Sequence, residues 1–186
     1  MTETYPPLFA GQRWTASLAQ SMLPVYARKT ADTSRAATTT TVADPHLQLT
    51  VAANAVYQME GWIKYDGPTA ADLNLDWSAP SGSLGEWFGW GAGHSPVITF
   101  SAAGAAQLDT QGGRGYPIRT ETNDITSARS FGCLGTGLIP LTLTLGGILR
   151  VGSVGGTYSC DWAQLTSDAG AVTLYTDSYL KLTRVA

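Results

Sequence analysis

Asp72-Leu73-Asn74-Leu75-Asp76-Trp77 alternates polar and apolar side chains without a fault. In an extended chain successive side chains point to opposite faces, so Leu73, Leu75 and Trp77 share one side. The pattern predicts a strand with one face on a core and the other, carrying Asp72, Asn74 and Asp76, in water. The same period continues outward in both directions. Val56 to Tyr65 sets Tyr57, Met59, Ile63 and Tyr65 on one face. Leu141, Leu143 and Leu145 alternate with Thr142 and Thr144, and Tyr158, Cys160 and Trp162 alternate with Ser159 and Asp161. Ser178 to Val185 reads as a closing strand. Asp66-Gly67-Pro68, Pro80-Ser81-Gly82, Gly112-Gly113, Gly146-Gly147 and Gly155-Gly156 punctuate these runs as turns. Roughly eight short strands with no helical stretch between them predict an all-β fold, an antiparallel β-sandwich of jelly-roll type. It is expected over residues 46–186.

The first 30 residues read differently. Trp14, Leu18 and Met22 recur at helical spacing, with Thr15 and Ser17 as candidate caps. Pro24 stops that helix early, leaving about two turns that are marginal alone in water. Residues 1–30 are therefore expected to form an attachment arm with one short helix. Its apolar residues Pro6, Phe9, Trp14, Leu18 and Met22 pack either on the body's own core or against another chain. Residues 31–45, rich in Thr and Ser, suit a linker or an exposed edge strand.

Composition narrows the function. The chain has 186 residues, 44% apolar and only 13% charged, against about 25% charged in ordinary domains. With 11 Lys+Arg and a pI near 5.2, it lacks the basic footprint of a nucleic-acid binder. No apolar run approaches the ~18 residues of a membrane span, and no secretory signal opens the chain. Two cysteines, Cys133 and Cys160, are too few to scaffold the fold and read as reduced thiols. No zinc-type spacing occurs, so neither a metal nor a cofactor is expected. No internal repeat indicates a propeller or solenoid.

Catalytic chemistry finds little support. His46 lies in a turn-like Asp44-Pro45-His46, and Gly91-Ala92-Gly93-His94-Ser95-Pro96 is not a nucleophile elbow. Asp72, Asp76, Glu86, Glu121 and Asp161 are available carboxylates. On one strand face, Asp72 and Asp76 would stand roughly 13 Å apart at about 3.3 Å per residue, too far for a glycosidase pair. Phosphate-binding loops are absent. The aromatic group Trp87, Phe88 and Trp90, set among glycines, stands out. These rings suit the core, a subunit interface, or a platform for a sugar ring.

Phe9-Ala10-Gly11-Gln12-Arg13-Trp14-Thr15-Ala16-Ser17-Leu18 resembles the opening of small virion proteins of tailed phages infecting actinobacteria, an apolar-Gly-Gln-x-Leu-Thr-Ala segment. Ala27 to Arg35, Ala43 to Leu47, Val51 to Tyr57, Ile63 to Tyr65, Asp72 to Gly82, Trp162 to Gln164 and Ser178 to Val185 resemble the same group. Trp14 departs from its usual leucine. The resemblance implies a non-enzymatic, homotrimeric virion structural protein on the particle surface, assembled in the bacterial host cytoplasm. It would be a capsid decoration protein, a short head fibre or a minor tail protein, and no catalytic residues carry over. Its partners would be itself and the major capsid protein or tail proteins, with several arms multiplying affinity. The alternative is a tail module that binds host cell-surface glycan.

Overall fold

The computed structural model describes residues 5–92, 97–100, 106–109, 125–135 and 140–186, the two short segments as backbone strands. One helix, α1 (Ala16–Ser21), precedes β1 (Val25–Arg28), β2 (Thr33–Arg35), β3 (Val42–Val51), β4 (Val56–Asp66) and β5 (Leu73–Ser78). Then come β6 (Leu84–Trp90), β7 (Val97–Phe100), β8 (Ala106–Asp109) and β9 (Arg129–Phe131). The chain closes with β10 (Leu141–Arg150), β11 (Gly156–Gln164), β12 (Val172–Leu174) and β13 (Tyr179–Arg184). The larger sheet runs β1-β13-β4-β10-β6, with β12 pairing both β2 and β4; the smaller runs β3-β11-β5-β9, and β7-β8 pair separately.

Pairing is nested: β1 with β13, β3 with β11, β4 with β10, and β5 with β9, all antiparallel. First with last, and so inward, is one long hairpin wrapped into two sheets, which is the jelly-roll arrangement. The stretch between β5 and β9 interrupts the nesting, and β6 from that stretch adds to the larger sheet beside β10.

Period-two patterning sets the core between the sheets. Leu73, Leu75 and Trp77 face Tyr57, Met59, Ile63 and Tyr65 of the other sheet, and all are buried. Aromatic rings join the layers. Trp77 stacks on Tyr158 at 5.1 Å between centroids and meets the edge of Trp87 at 5.5 Å. Such pairs add about 0.5–1.5 kcal/mol beyond area burial. The Tyr158 hydroxyl donates to Met59 Sδ across the layer at 3.1 Å.

Three expectations are corrected. Gly146 and Gly147 do not turn the chain; they lie inside β10, opposite Phe88 and Trp87 of β6. A Cβ on Gly147 would stand 2.3 Å from Glu86 O, and one on Gly146 2.5 Å from Phe88 Cζ. Glycine is there for close approach, not for a bend. Asp72 is not on a solvated strand face. It precedes β5 in the left-handed region (φ 53°), is buried, and its Oδ1 accepts the Cys133 N–H at 2.9 Å. Short Asx side chains tolerate this backbone and cap nearby amides. Finally, the arm does not run to residue 30, because β1 is paired to β13 and belongs to the body. Within 31–45, β2 pairs β12 and β3 already begins at Val42.

A buried polar cluster explains that boundary. Lys29, directly after β1, has no exposed side-chain surface, and neither has Asp44 of β3. Lys29 Nζ donates to Asp44 Oδ2 at 2.6 Å and to Thr33 Oγ1 at 2.9 Å. Asp44 also accepts the Trp162 indole N–H at 3.1 Å and the His46 amide at 2.9 Å. The Arg35 guanidinium lies 4.1 Å over the Trp162 ring and donates to the carbonyls of Val42, Ala43 and Trp162. The root of the arm is thus fastened to the smaller sheet.

Candidate interaction site

Thr15 caps α1: its backbone is extended (φ −123°, ψ 157°) and its Oγ1 accepts the Leu18 N–H at 3.2 Å. Ser17 instead exchanges a hydroxyl hydrogen bond with Thr15. Met22 closes the helix, its N–H donating to Ala19 O at 3.2 Å. Six residues are too few to hold a helix by propensity, and none of the six is buried. Phe9 is 71% exposed, Trp14 63%, Met22 44% and Leu23 65%; Pro6 and Leu18 are half-buried. Between residues 5 and 23 the only charge is Arg13. The arm touches the body at its start, where the Arg184 guanidinium lies 3.8 Å over the Tyr5 ring and donates to its hydroxyl at 3.1 Å. A cleft of about 160 Å³ separates the two, lined by Tyr5, Gln20, Leu23, Tyr57 and Arg184 among others. Leu23 falls off the four-residue spacing of Trp14, Leu18 and Met22, and the sequence signal that marks it is an apolar residue ahead of Pro24.

The aromatic group divides. In β6 positions 85, 87 and 89 lie on the core side, Gly85 and Gly89 flanking the Trp87 side chain, and the side chains at 84, 86, 88 and 90 face outward. Trp87 is fully buried, donates its indole N–H to Ser127 O at 3.1 Å, and carries the Arg129 guanidinium 4.7 Å over its ring. It cannot meet a ligand. Phe88 is half-buried over Gly146, whereas Trp90 is 59% exposed.

The titratable groups are engaged locally. His46 Nδ1 is hydrogen-bonded to the Thr30 hydroxyl at 3.2 Å, and Glu86 pairs with Arg150 at 3.7 Å. His94, Glu121 and Gly112-Gly113 lie outside the described residues. Register brings Asp76 opposite Asp161, a juxtaposition that sequence spacing does not reveal. Asp161 accepts from the hydroxyls of Ser78 and Ser159 at 2.7 and 2.6 Å, and Asp76 accepts the Trp77 amide at 2.7 Å. Cys133 and Cys160 are free and buried. Burial, reinforced by Asp72 and Asp66, pushes the Cys133 thiol up to about 12. Burial likewise drives Cys160 well above the usual thiol range. Protonated thiols of this kind are poor nucleophiles. Among the described residues no group of three or more His, Cys, Asp or Glu could hold a metal ion. No described helix is long and apolar enough to cross a membrane.

No family model, curated protein or solved structure matches the chain.

Proposed function

We propose that the chain is a structural protein of a phage virion, a homotrimer on the outside of the particle that docks through its N-terminal arm. Decoration of the capsid, a short fibre and attachment to the tail all fit this reading. The observation that carries it is the arm itself, a segment with one charge and no buried helical residue. Its rings and Leu23 are left in water beside a core that does not use them. Burying a large apolar side chain contributes about 1.5–3 kcal/mol, so Phe9, Trp14 and Leu23 together offer about 4.5–9 kcal/mol per arm to a partner. Several arms in one oligomer multiply that affinity through effective concentration. The resemblance of Phe9 to Leu18 to virion-protein openings supports the reading. The jelly roll, shared by viral capsid and lectin domains, supports it by analogy alone.

The test is a chain lacking residues 1–23, a cut that spares β1 and so leaves the sheet whole. It is expected to fold, to keep the oligomeric state of the full chain in light scattering, and to lose rebinding to virions stripped of the protein. Full-strength rebinding after the deletion overturns the docking role. A full chain that stays monomeric at micromolar concentration overturns the trimer.

A further inference from the structure

The register of the larger sheet lines up residues that lie far apart in sequence. Trp90 of β6 is opposite Thr144 of β10, Thr144 opposite Trp62 of β4, Trp62 opposite Tyr179 of β13, and Tyr179 opposite Arg28 of β1. All of these positions fall on the outer face of the sheet, the one turned away from the core. The parallel row beside it runs Phe88, Gly146, Glu60, Lys181 and Tyr26. Trp90 and Tyr26 are 59% and 58% exposed, Trp62 and Tyr179 are half-buried, and Thr144 between the two tryptophans is exposed.

We propose that this face is a glycan-binding platform on which Trp90 and Trp62 stack two sugar rings of one cell-surface polysaccharide across Thr144. Three features point to sugar. The first is spacing. One strand, β10, separates the tryptophans, so two strand spacings set them about 9.6 Å apart at ~4.8 Å each, a span that alternate rings of one oligosaccharide bridge. The second is the floor between them. Thr144 is small and carries a hydroxyl, and beside it the Phe88 ring lies close over Gly146, so no large side chain stands between the two tryptophans in their row.

The third feature is charge. Lys64 Nζ stands 5.6 Å over the Trp62 ring, Lys181 pairs with Glu60 at 2.5 Å, and Arg28, Glu86 and Arg150 lie on the same face. These are six charged side chains in a chain with only 11 Lys+Arg and 14 Asp+Glu. Cores of protein–protein interfaces are depleted in charge, and burying such pairs against another protein is costly. Aromatic faces take up the C–H faces of a sugar, while the surrounding ammonium and carboxylate groups meet its hydroxyls without leaving water. The arm has the opposite character, which assigns the two surfaces to different partners.

The experiment is affinity electrophoresis of the purified full chain in gels containing, one at a time, hydroxyethylcellulose, glycol chitin, yeast mannan, dextran, pullulan and arabinogalactan. At least one is expected to retard the protein. Trp62→Ala and Trp90→Ala should each weaken that retardation at least tenfold, while Trp14→Ala in the arm should leave it unchanged. Thr144→Tyr, at an exposed strand position that accepts a ring, puts a bulky side chain between the two tryptophans and should abolish retardation in a chain whose circular dichroism is unaltered. No retardation by any polysaccharide overturns the platform, as does full retardation of the Trp62→Ala/Trp90→Ala double variant. Loss of self-association in that double variant without any glycan retardation reassigns the face to contact between copies. None of these outcomes bears on virion docking, which the arm deletion tests separately.

Discussion

Replacing Lys29 by Met removes the ammonium from a site with no exposed surface and leaves the Asp44 carboxylate behind. Removing one member of a buried ion pair costs about 3–5 kcal/mol because the other charge stays uncompensated. Here Asp44 keeps two N–H donors, the His46 amide at 2.9 Å and the Trp162 indole at 3.1 Å. They hold the loss near the lower limit, about 3 kcal/mol. In a domain of this size each kcal/mol moves Tm by about 2–4 °C, so the variant should melt about 6–12 °C lower. Asp44→Asn, which strands the Lys29 ammonium with Thr33 as its remaining side-chain acceptor, should cost a similar amount. The double variant Lys29→Met/Asp44→Asn buries no charge, and its amide oxygen still accepts from Trp162 or His46. It should be no less stable than either single variant, giving a coupling of about 3 kcal/mol. Urea unfolding followed by tryptophan fluorescence and circular dichroism at constant m provides the measurement. Amide exchange should also speed up in β1, whose end Lys29 pins. Single effects that simply add, or a Lys29→Met cost below about 1 kcal/mol as at a surface pair, would refute the reasoning.

The opposite fates of two neighbouring rings are equally testable. Trp87→Ala should cost about 3–5 kcal/mol through the cavity it opens, and Trp90→Ala no more than about 0.5 kcal/mol; urea midpoints in the reverse order would sink the inner and outer assignment. Gly147→Ala drives a Cβ against backbone at Glu86 O and should cost about 2–3 kcal/mol, whereas Gly146→Ala meets only the end of the Phe88 ring and should cost about 1 kcal/mol; thermal melts rank them. Cys133, held up at about 12 from an ordinary 9.0, and Cys160, likewise driven up by burial, keep their protons in the folded state where the unfolded chain loses them. Their contribution to stability is therefore complete below pH 9 and lost as pH rises toward 12, so urea midpoints should fall across that window. Ellman's reagent at pH 8 should find no reactive thiol before denaturant is added, and rapid reaction of the native chain contradicts the packing.

Strand faces were legible because alternation is local. Leu73, Leu75 and Trp77 announce a buried face without reference to any other strand, and all three are buried. Errors of one residue arose where a turn and a strand share chemistry: Asp72 continues the alternation on paper but caps the Cys133 amide in space. Gly146-Gly147 looks like a turn because glycine serves both sharp bends and close approach, and only the presence of β6 alongside tells them apart. Trp87 and Trp90 could have been separated by counting, since an odd offset within one strand puts them on opposite faces. Long-range register was beyond reach. The Lys29–Asp44 pair sits in a stretch whose Thr and Ser content suggests solvent, and only the packing of β1 against β3 buries it. Likewise nothing local aligns Trp62 with Trp90, because that row exists only once β10 has paired with both neighbours.

Low charge then acquires a spatial meaning. In a chain with only 13% charged residues, the larger sheet's outer face gathers six of them, Arg28, Glu60, Lys64, Glu86, Arg150 and Lys181. The arm, with Arg13 as its only charge between residues 5 and 23, leaves its rings in water. A single molecule carrying both surfaces has one side that gains by leaving water and one that loses by it. In the proposed docking the first leaves solvent while the second stays in water. In the proposed trimer the two demands are met together. There the arms take their apolar segments out of water, and the charged, aromatic sheet faces stay accessible to a polysaccharide. Were the sheet face instead the contact between copies, six charges would have to be desolvated, the costlier arrangement.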